Sequence, residues 1–303
     1  MCDPITGNIR LFMKKLKQII AQTKEIAAAN STGFNDLVWQ LICYSPKMAL
    51  RLHQEQLLNE AGHFSLTVSD DYFAKKQLPF NGFKWGTGKH KILITHGWGS
   101  KAADFGDIIT ALREIGDVEI FAFDAPGNGS SEADLSNLLL FILAAEAIIK
   151  TYGKPDILIG HSLGAMANVM AIREMGIAPS LLVSLTPLVR LKENFEASMN
   201  AAGVQQEGQA EFLESFEKLF GYPASWYNLN RQYLFDTAPK HWLAYDNADA
   251  VAPYPYLQEF LNAHPSINAK HYEGTGHERI LKSPEMIGDL VKKVTIALGK
   301  EIF

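Results

Sequence analysis

Cysteine is scarce: Cys2 and Cys43 are the only two in 303 residues. Two cannot build a disulfide framework, and neither has the Cys-x-x-Cys or His-rich surroundings of metal or redox chemistry. Reduced thiols in a cytoplasm are the expectation. Long apolar runs are lacking too. No stretch reaches the roughly 18 apolar residues of a membrane span, and the longest, Leu138 to Ile149, is interrupted by Glu146 and reads as a buried helix. The N-terminus lacks the charged start, apolar run and small-residue cleavage site of a secretory signal. Positive charge is not in excess: the net charge is −5, which removes the electrostatic reason to expect a nucleic-acid partner. No internal repeat is visible. What is present is 47% hydrophobic and 20% charged residues, the usage of a globular chain with a sizeable core.

The rest is organised around Pro155 to Met175. Ile157, Leu158 and Ile159 form a short strand, Gly160-His161-Ser162-Leu163-Gly164 a turn, and Ala165 to Ile172 an apolar segment of helix formers. A serine in so tight a turn takes a strained backbone, and small residues two before and two after it let strand and helix approach. The hydroxyl then stands clear at a helix N-terminus, with the Leu163 N–H aimed at a developing oxyanion. Ser162 is the candidate nucleophile and Leu163 the first oxyanion donor.

Upstream, Ile9, Phe12, Leu16, Ile19, Ile20 and Ile26 recur at helical spacing over Asn8 to Ala29, with Lys14, Lys15, Lys17 and Lys24 on other faces. This amphipathic helix is expected to dock on the body of the protein or on a second subunit; peripheral attachment to an anionic membrane is the alternative. Leu37 to Tyr44 and a third stretch through Leu58 complete an N-terminal helical extension over residues 1–65. Leu66 to Tyr72 and Phe80 to Trp85 read as early antiparallel strands. Lys91 to Thr95 is a run suited to a strand buried on both faces. It delivers His96-Gly97-Trp98 to the carboxyl end, where open α/β sheets bind ligands. A crossover helix (Asp104 to Ile115), a strand (Val118 to Phe123), a helix (Leu135 to Tyr152), strands at Leu181 to Leu185, His241 to Tyr245 and Ala269 to Tyr272, and a closing helix (Pro284 to Leu298) continue the alternation. Between Pro187 and Lys240 it gives way to helical stretches rich in aromatics.

With these parts in this order, the chain resembles the α/β-hydrolase superfamily over roughly Phe83 to Leu298. The resemblance implies a mostly parallel central sheet with helices on both faces, a core of residues 66–186 and 241–303, and a helical cap inserted over 187–240 that shields the site and lines the substrate pocket. His277 follows the last strand on a Gly-Thr-Gly loop, the position that the order serine, acid, histidine requires of the base. The acid belongs to the loop after Tyr245, where Asp246 and Asp249 compete. The superfamily pattern of an Asp with an apolar-x-Pro tail fits Asp249, Val251 and Pro253, while Asp246 falls on the turn and is the reserve. His96-Gly97-Trp98 resembles the superfamily's His-Gly-x element, whose last residue donates its backbone N–H, making Trp98 the second oxyanion donor. His96 and His161 are expected to serve the scaffold, and Asp124 to Ser131 to form a tight loop beside the site.

The implied activity is hydrolysis of a carboxylic ester through an acyl-enzyme on Ser162, with a small-molecule acyl substrate and neither cofactor nor metal. A thioesterase, acyltransferase or small-peptide hydrolase would use the same groups, and a binding module of the same fold would use none. For the first eighty residues the resemblance implies nothing.

Overall fold

The computed structural model describes residues 4–27 and 33–301. Three helices come first: α1 (Pro4–Ala27), α2 (Phe34–Cys43) and α3 (Leu52–Asn59). α1 runs against α2, with Ile19 and Thr23 buried and Lys14, Lys15, Lys17 and Lys24 exposed. The side chains of Ile9, Phe12 and Ile26, and all of Ala28 and Ala29, lie outside the described residues.

The hairpin β1 (Gly62–Asp70) and β2 (Lys76–Trp85) follows. β1 starts inside the expected helical extension, because its alternation reaches further back than Leu66: Phe64, Leu66 and Val68 share the better-buried face. Next are β3 (His90–Thr95), α4 (Gly106–Arg113), β4 (Val118–Phe123), α5 (Leu138–Tyr152), β5 (Ile157–His161), α6 (Leu163–Glu174) and β6 (Leu181–Leu185). α5 starts later than Leu135 because the Asn137 side chain accepts the Leu140 N–H at 3.1 Å and caps the helix there. Between β6 and the next strand lie α7 (Leu191–Ala201), α8 (Gln206–Phe220) and the single turn α9 (Leu229–Gln232). The chain closes with β7 (His241–Tyr245), α10 (Tyr254–Ala263), β8 (Asn268–His271), α11 (Gly276–Arg279) and α12 (Pro284–Ala297). α10 has no counterpart among the expected elements; its Pro255 sits in the first turn, where a missing N–H costs no helical bond.

The eight strands form one sheet in the order β1-β2-β4-β3-β5-β6-β7-β8. β2 pairs antiparallel with both neighbours, and the other pairings are parallel. This is the α/β-hydrolase fold. Alternate strand residues enter two cores: Leu93, Phe121, Leu158, Leu182 and Leu243 pack with α5, α6 and the helices between β6 and β7, while Ile94, Ile120, Ile159, Val183 and Trp242 pack on the α4 and α12 side. Both faces being covered explains why the parallel strands read as continuous apolar runs. The chain leaves β3 toward β4 on one side and returns to β5 on the other, so the carboxyl ends of β3 and β5 flank a topological switch point.

Candidate active site

Ser162 stands at the end of β5, with φ +52° and ψ −119°. Few non-glycine residues tolerate this region, and the surroundings hold it there. Its N–H donates to Leu185 O at 3.0 Å, and its carbonyl accepts from Ala165 N and Leu188 N, each at 3.1 Å. The turn has no room for side chains on either flank. A Cβ on Gly160 would lie 2.6 Å from the Ala165 Cα, and one on Gly164 would overlap the carbonyl oxygen of His96.

His277 Nε2 lies 2.8 Å from Ser162 Oγ, and its Nδ1 lies 2.7 Å from Asp249 Oδ2. The ring sits in the one-turn helix α11 rather than on an open loop. The two competing aspartates separate cleanly. Asp249 is buried, and its other oxygen accepts from Val251 N at 2.8 Å and Ala252 N at 2.9 Å, which aims the carboxylate at the imidazole. Asp246 instead takes the N–H of Ala248 at 2.9 Å and of Gly276 at 2.7 Å, tying its own turn to the start of α11. Burial opposes ionisation of Asp246, but these N–H groups and His271 outweigh it and hold the carboxyl below its usual range.

The other motif histidines work on the backbone. His96, neutral because burial lowers its pKa, donates from Nδ1 to Gly97 O at 2.6 Å and accepts from Ala125 N at 3.0 Å on Nε2. That anchors the peptide whose N–H belongs to Trp98. Neither that N–H nor the one of Leu163 has an acceptor among the described residues, and the turn bearing Trp98 runs close to the serine, since a Cβ on Gly97 would lie 3.0 Å from the Ser162 Cβ. His161 donates from Nε2 to the backbone carbonyl of His277 at 2.9 Å, and Thr186 Oγ1 donates to the same oxygen at 3.1 Å. Burial and then the neighbouring His277 hold His161 at about 3, so it is neutral at physiological pH. In the expected tight loop, Asp124 accepts from Ala102 N at 2.8 Å and Ser130 N at 2.7 Å.

Sequence reasoning missed three contributors. Thr186 has φ +41°, which sequence does not display in a threonine, although Pro187 after it marks a chain reversal. Asn128, fully buried, links Ser45 Oγ (2.6 Å), Gly99 N (3.3 Å) and Ser136 Oγ (3.0 Å); in the sequence it is one more turn asparagine. The third is α2. A cavity of about 270 Å³ opens on Ser162 and His277, and its walls come from Trp98, from α7 and α8 (Leu191, Phe195, Phe216, Phe220) and from Leu41, Ile42 and Cys43 of α2. The Cys43 thiol, buried and near Asp70, is pushed well above its ordinary pKa. Among the described residues no cluster of three or more His, Cys, Asp or Glu is arranged to hold a metal ion, and no helix is long and apolar enough to cross a membrane.

Comparison with known proteins agrees with this architecture. The model of the alpha/beta hydrolase family matches residues 92–285. A monoglyceride lipase of Rattus norvegicus is 28% identical over 112 residues, which is 34% of this chain and 37% of the lipase. The chain thus matches little more than a third of that relative's length. An esterase structure from Pyrococcus furiosus superposes with a TM-score of 0.59 at 17% identity, covering 85% of this chain and 97% of the esterase. Mouse alpha/beta hydrolase domain-containing protein 10 gives 0.57 at 16% identity, covering 78% and 98%. At these identities the two structures speak for the fold.

Proposed function

Because the chain belongs to the alpha/beta hydrolase family, we propose that it is a serine hydrolase of carboxylic esters, with Ser162 as nucleophile, His277 as base and Asp249 as acid. One observation carries the reading: a continuous hydrogen-bonded line from Asp249 Oδ2 through both His277 nitrogens to Ser162 Oγ, with spacings of 2.7 and 2.8 Å, that opens on an apolar cavity. Similarity to a monoglyceride lipase supports it.

A serine hydroxyl is a weak nucleophile at neutral pH. His277 Nε2 takes its proton as Oγ bonds to the ester carbon, and Asp249 stabilises the imidazolium that results. The carbonyl oxygen becomes an oxyanion held by the Trp98 and Leu163 N–H groups, whose lack of other acceptors leaves them available. Collapse breaks the bond to the leaving alkoxide, which takes the proton from His277 and departs as the alcohol. Water then gives a proton to His277 and bonds to the acyl carbon; the second collapse frees the acid and returns the proton to Ser162.

Hydrolysis of p-nitrophenyl esters from acetate to palmitate by wild type and Ser162→Ala tests this. The variant should lose at least about 10³-fold in kcat, and a fluorophosphonate should label wild type only. Equal turnover by the variant removes Ser162 as nucleophile. Labelling without ester turnover moves the reading to thioesters, amides or acyl transfer on the same groups, and neither labelling nor turnover moves it to a binding module.

A further inference from the structure

The segment least accounted for is the one before the family match, which begins at residue 92. Yet α2 carries Leu41, Ile42 and Cys43 into the cavity that opens on Ser162, and it is fastened on both sides. Toward the core, Cys43 O accepts the Ser136 N–H at 2.8 Å, Ser45 Oγ donates to Asn128 at 2.6 Å, and Lys47 Nζ donates to Ser131 O at 2.5 Å. Toward the helices between β6 and β7, Trp39 Nε1 donates to Ser215 Oγ at 3.1 Å, and its ring lies 4.8 Å from Phe212 and 6.1 Å from Phe216, the latter stacked. Phe34 closes against Gly208 so tightly that a Cβ there would overlap its ring. α1 covers the outer side, with Ile19 buried and the Lys15 ammonium 4.8 Å from the centre of the Tyr44 ring. A helix anchored to two bodies by hydrogen bonds and aromatic packing is a fixed wall.

We propose that α2 is the chain-length gauge of the acyl site: Leu41 and Ile42 bound the space for an uncharged alkyl chain, so the N-terminal segment sets which acyl esters are cleaved. The alkyl chain is uncharged because the wall is mostly aliphatic and aromatic, its further polar side chains (Ser136, Asn137, Asn194, Ser198) are neutral and, among the described residues, no lysine or arginine lines the cavity; its one acidic group, Glu278, sits beside His277. A large side chain on α2 has nowhere to retreat, since the outer face of α2 is itself covered, so it occupies space the alkyl chain needs. The proposal rests on Ser162 being the nucleophile for its kinetic readout only.

The test compares wild type, Leu41→Trp, Ile42→Trp and Ile42→Ala on the same p-nitrophenyl ester series. With either tryptophan, the ratio of turnover on esters of eight or more carbons to turnover on acetate should fall at least about tenfold from its wild-type value; Ile42→Ala should move the optimum to longer chains. Decanol binding by calorimetry reads the wall without chemistry, and Leu41→Trp should weaken it at least about tenfold. Identical chain-length profiles and identical decanol affinities across all four proteins overturn the proposal. If no protein cleaves any ester and Ser162 takes no fluorophosphonate, the hydrolase reading fails, while the decanol arm still decides for or against the wall.

Discussion

The two halves of the site are built by different means. Around Ser162, His277 and Asp249, positions are set by backbone: a strained serine, glycines with no room for a Cβ, and carbonyls and N–H groups held by named partners, those of Trp98 and Leu163 apart. The cavity wall is set by side-chain packing between helices, with Trp39, Phe216 and Phe220 against one another and α2 closing the side. Hydrogen-bonded backbone admits few alternatives, whereas apolar packing tolerates exchange at similar volume. The chemistry should therefore break at single atoms, and the wall should retune by degrees.

The sharpest contrast lies between two aspartates three residues apart. Asp249→Asn keeps the shape but withdraws the charge from the imidazole, and kcat should fall on the order of 10⁴-fold. Asp246→Asn loosens the tie to Gly276 and removes the charge facing His271, and should cost on the order of tenfold in kcat. Comparable losses in both would mean that the acid is misassigned. Steady-state kinetics with circular dichroism as a folding check decides it.

Next comes the carbonyl of His277, held by His161 and Thr186. His161→Phe should lower kcat by on the order of 10- to 10²-fold with KM little changed, because the base shifts while the cavity stays intact. His161→Gln, which keeps an N–H donor, should recover most of it. A rise in KM instead would make His161 part of the wall.

A smaller effect reads the buried imidazoles through stability. Burial, and then His277 beside one and His264 beside the other, holds His161 and His241 at about 3, against about 6.5 in an unfolded chain. Between those values the unfolded state binds more protons, so stability rises with pH and is lost on acidification. Each imidazole should remove about 2 kcal/mol between pH 7 and pH 5. Urea unfolding followed by tryptophan fluorescence should show a lower midpoint at pH 5; an unchanged midpoint contradicts it.

Much of this was legible beforehand. The strands Val118–Phe123, Leu181–Leu185 and His241–Tyr245 stand where the apolar runs put them, because a strand buried on both faces must be apolar throughout. The serine turn was readable because two close approaches need glycine. The superfamily pattern favours Asp249 and keeps Asp246 in reserve; in the structure the two differ because the His277 ring lies 2.7 Å from Asp249, whereas Asp246 takes the Gly276 N–H at 2.7 Å. α10 escaped because Pro255 is a breaker in a helix interior and harmless in a first turn.

By itself, then, the sequence determined the alternation of strand and helix and the serine turn, since these follow from local sterics and burial over a few neighbouring residues, while the order of the chemical groups came with the family resemblance. Only tertiary structure decided that α2 walls the cavity, that Asn128 ties Ser45 to the turn at Gly99, and that His161 holds the carbonyl of His277. The hydrogen bonds among them join residues 29 to 116 positions apart. Such distances are closed by the sheet's crossovers and by helix packing, and no local pattern of residues encodes them.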